Sequence, residues 1–231
     1  MAKVPFLKDE FIENATLCLL DAYGRDHGGV ARPPIPVDAI IESHFKLTLD
    51  YDDLSRLLGI PGVLGATYLK NPRVIVDQSL DPTEDPSKTG RNNFTLAHEI
   101  GHWELHRHLL MGNPLQTSLF GDDGRPAFIC RSRSNKEPME WQADRFAGFL
   151  LMPRKMVLDA WRARHGELRP YVAEAEMVDL SAKWGLGKDE RPTVGVAREL
   201  AQEFCVSGQA MQIRLIGLGL IVTGKPEPDL F

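Results

Sequence analysis

The sequence predicts an α+β fold, because its strand-like runs come before two long helical patterns instead of alternating with helices. Apolar, β-rich runs occupy residues 63–69 and 73–77, and the long helical patterns follow at about 92–111 and from 138 to before Pro153. A doubly wound sheet would alternate strand and helix along the chain. At 231 residues, the chain suits one domain with a small appendage, or two small domains.

The first part of the chain predicts two helices, a strand and a hairpin. Helical spacing of apolar residues over 6–23 predicts an amphipathic helix, and a short helix is expected over 37–45. Alternation over 46–51 predicts a strand. Residues 70–72, Lys-Asn-Pro, join the two apolar runs into a hairpin, and the polar segment 81–90 predicts a loop.

Between the two long helices lies a segment rich in Gly, Pro and Ser, with one strand candidate at 127–131. Small residues predict that the two helices approach each other closely. These are Gly101 on the first helix, and Ala143, Ala147 and Gly148 on the second.

The C-terminal part, 154–231, predicts mostly helices with one polar break at 185–193. Residues 196–221 follow a helix-turn-helix pattern, in which Ser207 is a suitable N-cap for the second helix. That helix carries a single cation, Arg214, whereas a helix that reads DNA normally carries several. We therefore do not expect DNA binding.

The composition restricts the class of protein further. A net charge of −5 argues against a dedicated binder of nucleic acids or membrane surfaces. The three cysteines, Cys18, Cys130 and Cys205, are too few and too far apart for a disulfide scaffold. No signal-peptide core and no run long enough to span a bilayer is evident, so we expect a cytoplasmic protein without a membrane partner.

The stretch HEIGHWELHRH, residues 98–108, places four histidines and two glutamates within eleven positions. His98 and His102 are four residues apart on one helical face, where two imidazoles can hold one tetrahedral metal ion. Glu99 lies beside them as a candidate general base. A solvated helix with a chance histidine pair is the alternative, but the apolar residues on both flanks argue against it.

A third protein ligand is required, and two other histidines of this stretch are poorly placed for it. His108 remains on the helix because Leu105 replaces the glycine that a returning chain would need, so it points roughly 100° away from His98 and His102. His106 lies on the correct side but about 12 Å along the axis from His98. His106 therefore suits a pocket wall or a support for a ligand, or else a semi-exposed histidine at a helix end.

The second long helix, MEWQADRFAGFLLMP at 139–153, offers Glu140 and Asp144 on one face. Glu140 is placed to be the third metal ligand. Asp144, one turn further on, is placed to accept the N–H of a ligating histidine, which would set the tautomer of that histidine. Two ordinary surface carboxylates are the alternative.

FTLAHEIGHWELH followed by EWQADRFAGFLLMP resembles the ImmA/IrrE family of gluzincin-like metallopeptidases. The resemblance covers about residues 35–160, and GVLGATYLKNPRVIVD is similar to the strand segment before the motif. It implies a zincin-like core with the metal held by His98, His102 and Glu140, and with Glu99 as the general base. The spacing argument leads to the same assignment.

These features predict a zinc-dependent endopeptidase, since three protein ligands with an open fourth position are typical of catalytic zinc. Mn²⁺ or another divalent ion is the alternative cofactor. The resemblance implies that the substrate is a helix-turn-helix repressor of the XRE type, cleaved to derepress phage, mobile-element or stress-response genes. The alternative function is a non-proteolytic regulator that binds a repressor or DNA, within a system of the toxin–antitoxin kind.

The resemblance also suggests how the chain is divided. We expect a zincin-like metallopeptidase domain at 1–160 and a helical region at 161–231, in which 162–193 looks like an insertion. We further expect the substrate to extend along an edge strand within 63–77 by β-augmentation.

Two roles stay open in the sequence. Three residues are candidates to stabilise the oxyanion of the reaction: His106, Arg145 and Tyr171. Cys130 is either a buried strand residue or an inhibitory thiolate ligand.

Overall fold

The computed structural model describes residues 4–111, 125–131, 137–184 and 192–223. Its contacts divide the chain into two units, Met1–Leu151 and Met152–Phe231. The domain boundary predicted between residues 160 and 161 stays a prediction, and each unit is described here by itself.

The first unit has the predicted α+β composition. Its helices are α1 (Asp9–His27), α2 (Val37–Ala39), α3 (Leu54–Leu58), α4 (Thr89–Met111) and α5 (Pro138–Leu151). Its strands are β1 (Thr48–Asp52), β2 (Val63–Tyr68), β3 (Arg73–Asp77) and β4 (Phe128–Arg131). The helix α2 continues directly as a π-helical turn at Ile40–His44, and short 3₁₀ turns lie at Gln78–Leu80 and Pro86–Lys88.

The four strands form one sheet in the order β1-β3-β2-β4. The predicted hairpin is confirmed, since β2 and β3 pair antiparallel. β4 adds antiparallel to the other side of β2, and β1 pairs parallel with β3. The prediction of an edge strand within 63–77 is wrong, because both strands of that segment already have a partner on each side. The edges are β1 and β4.

The helices α4 and α5 pack closely, as the small residues predict. A Cβ atom on Gly101 would lie 3.1 Å from Cβ of Phe146 and 3.2 Å from Cα of Ala143. Gly148, in contrast, has nothing within 4 Å of such an atom, so it does not contribute to the approach. Leu96 and Ile100, each 1% exposed, bury the apolar flanks of the histidine face of α4.

The second unit contains four helices and a strand pair in its described residues. They are α6 (Arg154–His165), α7 (Glu174–Trp184), α8 (Gly195–Phe204), α9 (Gly208–Gly217), β5 (Tyr171–Val172) and β6 (Ile221–Val222). The parallel pair of β5 and β6 was not predicted, because two-residue strands carry no periodicity. The polar break predicted at 185–193 lies mostly outside the described residues.

The helices α8 and α9 are joined by a tight turn. Cys205 takes a left-handed conformation with φ of 50°, and Ser207 caps α9 by accepting a hydrogen bond from the backbone N–H of Ala210 at 3.1 Å. Arg214, the cation of α9, is 8% exposed and donates to the carbonyl of Met152 at 3.0 Å. Its guanidinium is therefore used for a hydrogen bond inside the unit and does not extend into solvent.

Across the described ranges, no helix combines the length and the apolar character that crossing a membrane requires.

Candidate metal centre

The three predicted ligands come together between α4 and α5. His98 and His102 are 1% and 0% exposed, and their Nε2 atoms are 3.0 Å apart. The Glu140 carboxylate faces both rings, with Oε1 3.2 Å from Nε2 of His102 and Oε2 3.4 Å from Nε2 of His98. One ligand atom from each residue lies within 4.8 Å of the others, so the group could hold a metal ion.

Contacts at the Nδ1 atoms of both histidine rings leave the two Nε2 atoms facing the point where His98, His102 and Glu140 meet. Nδ1 of His98 lies 2.9 Å from Oδ1 of Asp144, a half-exposed carboxylate that accepts its proton. Nδ1 of His102 lies 3.1 Å from Nδ1 of His106. In the tautomers that carry the proton on Nδ1, both Nε2 atoms would have a lone pair for a metal ion.

The electrostatics of the site fit a divalent cation. Burial acts to raise the pKa of Glu140, but the adjacent imidazoles of His102 and His98 outweigh it and lower the pKa to about 2. Burial acts to lower the pKa of His98, but the hydrogen bonds of Asp144, Cys130 and Glu140 raise it well above its usual value. Two imidazoles and a carboxylate at this separation therefore favour a positive charge among them, and they are a ligand set of catalytic zinc.

The Glu99 carboxylate is completely buried, between α4 and the centre of the sheet. Its Oε2 accepts a hydrogen bond from the hydroxyl of Thr67 at 2.6 Å, whereas Oε1 has no hydrogen-bond partner within the described part of the chain. Burial raises the pKa of Glu99 to about 7, although His98 and Thr67 act in the opposite direction. A carboxylate with such a pKa can both take and return a proton near neutral pH.

Space for this carboxylate depends on a glycine in β2. A Cβ atom on Gly65 would lie 2.5 Å from Oε1 of Glu99 and 2.9 Å from Cγ2 of Thr95. The pairing of β2 with β4 shifts register between Val63 and Gly65. Neither Gly65 nor Thr67 was predicted as a site residue, because the chain alone does not show which strand lies against the HExxH helix.

His106 is 1% exposed, so the alternative of a semi-exposed histidine at a helix end is wrong. Its Nδ1 faces His102, and its Nε2 lies 2.9 Å from Oε1 of Gln142. The amide nitrogen of Gln142 donates in turn to the carbonyl of Pro5 at 2.8 Å. Burial lowers the pKa of His106 to about 4, which keeps this ring neutral.

The strand β4 contributes two side chains to the same region. The ring of Phe128 stacks on that of His102, with centroids 4.7 Å apart and an angle of 7° between planes. Cys130 is 9% exposed, and its Sγ lies within 4.8 Å of ligand atoms of His98 and Glu99. Burial raises the pKa of this thiol. Alternation along the predicted strand could have placed both side chains on one face.

The remaining candidates are engaged elsewhere. Arg145 pairs with Asp9 on α1 and lies over the ring of Phe149, 4.8 Å from its centroid. Tyr171 donates to Glu176 at 2.8 Å, within the second unit. His108 remains on α4, as predicted, and its side chain is exposed.

A small sheet with an HExxH helix packed against a second, glutamate-bearing helix defines the zincin-like class of fold. The chain belongs to the peptidase M78 family, because residues 64–215 match its IrrE N-terminal-like domain. The resemblance to ImmA/IrrE metallopeptidases is thereby confirmed.

Among solved structures, a Mycobacterium tuberculosis transcriptional regulator is similar, with a TM-score of 0.44 and 15% sequence identity. The similarity covers 90% of this chain and 57% of that chain, so this chain spans little more than half the length of the regulator. No curated protein matches the chain significantly.

Proposed function

We propose that the protein is a zinc-dependent endopeptidase of narrow specificity. The observation that carries the proposal is the convergence of His98, His102 and Glu140 with a buried carboxylate, Glu99, beside them. A site that only stabilised the fold would need a closed ligand set and no adjacent base. Mn²⁺ or another divalent ion is the alternative cofactor.

The proposed mechanism divides the work between the bound ion and the side chains. When bound, a divalent ion supplies Lewis acidity, which polarises a carbonyl group and lowers the pKa of water. Glu99 takes a proton from the water whose oxygen attacks the peptide carbonyl carbon. As the C–N bond breaks, Glu99 returns that proton to the leaving amine nitrogen.

The surrounding residues position Glu99 and limit access of solvent. Thr67 holds one carboxylate oxygen, and Gly65 leaves room for the other. Phe128 covers the face of the His102 ring, which keeps water from that side of the site. Asp144 holds the His98 ring in orientation through its Nδ1–H.

The substrate peptide is proposed to extend beside β4. This strand carries Phe128 and Cys130 next to the ligands, and it is paired only with β2 among the described strands. Backbone hydrogen bonds to such an edge would hold an extended peptide. Strands β2 and β3 have no free edge for this purpose.

The substrate is proposed to be a helix-turn-helix repressor of the XRE type, cleaved to derepress phage, mobile-element or stress-response genes in the cytoplasm. The family resemblance supports this choice. A non-proteolytic regulator that binds a repressor or DNA is the alternative. The buried Arg214 on α9 counts against DNA reading by the C-terminal helices.

Substitution of the proposed base tests the reaction. Glu99→Gln should lower peptide cleavage about 10²- to 10⁴-fold, because the amide cannot accept the proton. Zinc affinity should stay at the wild-type value, since Glu99 is not a ligand. Glu104→Gln is the matched control on the same helix, where Glu104 pairs with Arg107 at 2.9 Å. Equal activity of Glu99→Gln and wild type would overturn the proposed base.

A comparison of new protein N-termini in cells that express wild type or Glu99→Gln would identify the substrate. One regulator with a new N-terminus only in the wild-type cells would establish a specific peptidase. Matching profiles under both DNA damage and oxidative stress would contradict peptidase activity and favour the regulator that binds without cleaving.

A further inference from the structure

The two metal-binding histidines are supported by different groups. Asp144, a carboxylate, accepts the Nδ1 proton of His98. The corresponding neighbour of His102 is another histidine, His106, with the two Nδ1 atoms 3.1 Å apart. A histidine accepts at this nitrogen only when that nitrogen carries no proton. The support of His102 therefore depends on where the proton of His106 lies.

The contact between Gln142 and the carbonyl of Pro5 determines where the proton of His106 lies. The carbonyl of Pro5 has no proton to donate, so the Gln142 atom 2.8 Å away must be the amide NH₂. The reverse orientation of the amide would place its oxygen against that carbonyl oxygen. Oε1 of Gln142 consequently faces His106, and Nε2 of His106, 2.9 Å away, must donate to it.

The 3.1 Å contact needs one proton between the two Nδ1 atoms, and metal binding at Nε2 of His102 requires that this proton belong to His102. A neutral His106 with its proton on Nε2 has a lone pair on Nδ1, which accepts the Nδ1–H of His102. His102 then has a lone pair on Nε2, the atom that faces Glu140 and His98. A proton on Nδ1 of His106 would instead force the His102 proton to Nε2, where it blocks metal binding.

We propose that His106, Gln142 and the Pro5 carbonyl form a directed hydrogen-bond chain that holds His102 in its metal-binding tautomer. His106 and Gln142 are positioning residues, each with 1% exposure, and they act through His102. The inference rests on the proposed metal centre but not on peptidase activity. It also makes the segment before α1 a part of the support of the metal site.

Zinc affinities of three variants test the chain. In His106→Leu, the buried N–H of His102 loses its acceptor, so zinc affinity should fall about 10- to 100-fold. In His106→Asn, the side-chain oxygen can replace Nδ1 as the acceptor, so most of the affinity should return. His108→Leu is the matched control, because His108 is an exposed histidine on the same helix. The zinc affinity of this variant should equal that of wild type.

The outcomes distinguish a failure of the proposed hydrogen-bond chain from a failure of the proposed metal centre. Wild-type affinity in His106→Leu would overturn the inference alone. An equal loss in His106→Leu and a folded His106→Asn would overturn it as well, because it would indicate a packing role. A wild-type protein that binds no divalent ion would overturn the proposed metal centre and the inference together.

A second measurement needs no variant, and therefore does not depend on whether one folds. Nitrogen NMR of the imidazoles in the zinc-loaded wild type should show His106 neutral, with its proton on Nε2 and none on Nδ1. His102 should carry its proton on Nδ1. A proton on Nδ1 of His106 would overturn the chain.

Discussion

At the residue scale, Glu99 combines complete burial with one carboxylate oxygen that has no hydrogen-bond partner among the described residues. Thr67 satisfies only the other oxygen. The protein thus holds the proposed base in a place that disfavours its charge, which explains the raised pKa and suits an exchange of protons.

Gly65→Ala should remove activity while it leaves the metal ligands in place. The new Cβ would lie 2.5 Å from Oε1 of Glu99, so the carboxylate has to leave its position. Overpacking should also lower the free energy of unfolding by about 1–3 kcal/mol. Peptide cleavage, zinc titration and chemical unfolding of one preparation measure all three effects. Full activity of this variant would show that Glu99 does not act from the place described.

Asp144→Asn should weaken zinc binding about tenfold or more, since the amide still accepts the Nδ1–H of His98 but carries no negative charge. Asp144 is half-exposed, so the fold should tolerate the change. A competition titration with a chromophoric chelator measures the affinity. Unchanged affinity would show that the carboxylate charge is not used by the site.

Sequence spacing and the paired motifs predicted the side chains on the two long helices, but not those that approach from the strands and the N-terminal segment. His98, His102 and Glu140 follow from the helical repeat and the motif. Thr67 and Phe128 could not be assigned, because their roles depend on which strands lie against α4. His106 was placed near the site, but its link to Gln142 and Pro5 requires the packing of the N-terminal segment on α5.

At the element scale, the close packing of α4 on α5 sets the distance between the two parts of the ligand set. His98 and His102 lie on α4, and Glu140 lies on α5. Gly101 is the position where a side chain would separate the helices, since its Cβ would contact Ala143 and Phe146.

Gly101→Ala and Gly148→Ala form a matched pair, because both replace a helical glycine by the same residue. Gly148→Ala should raise the free energy of unfolding by about 0.5–1 kcal/mol, through the better helix propensity of alanine. Gly101→Ala should be less stable than that variant by about 1–3 kcal/mol and should bind zinc more weakly. Chemical unfolding and zinc titration measure the difference. Equal behaviour of both variants would contradict the close approach at Gly101.

The order of the strands in the sheet could not be predicted from the sequence, for a physical reason. Hairpin chemistry determines that β2 pairs with β3, because the two are neighbours in the chain. The pairing of β4 with β2 joins segments more than sixty residues apart, and local patterns do not encode it. The same limitation led to the wrong expectation that residues 63–77 offer a free edge.

At the scale of the whole molecule, the family match does not coincide with the division into units. The match covers residues 64–215, whereas the contacts divide at Leu151 and Met152. The family domain therefore includes α6, α7 and α8 and most of α9, in addition to the helices that carry the site. All three proposed ligands belong to the first unit.

Removal of the metal should therefore destabilise the first unit selectively. A free metal concentration of 100 times Kd would stabilise a site-bearing unit by about 2.7 kcal/mol, and a chelator removes that contribution. Hydrogen exchange should accelerate in α4 and α5 after chelation and stay unchanged in α8 and α9. Equal acceleration in all four helices would contradict a contribution confined to the first unit.

The glycine at position 65 also affects how proteins of this kind are recognised. A search for HExxH and the second-helix glutamate examines only histidines and acids, whereas the proposed base, Glu99, also needs a strand position without a side chain. A relative with every ligand intact and a larger residue at that strand position would bind metal without hydrolysing peptides. The residue at that position is therefore expected to distinguish active peptidases from relatives that bind the metal ion but do not hydrolyse peptides.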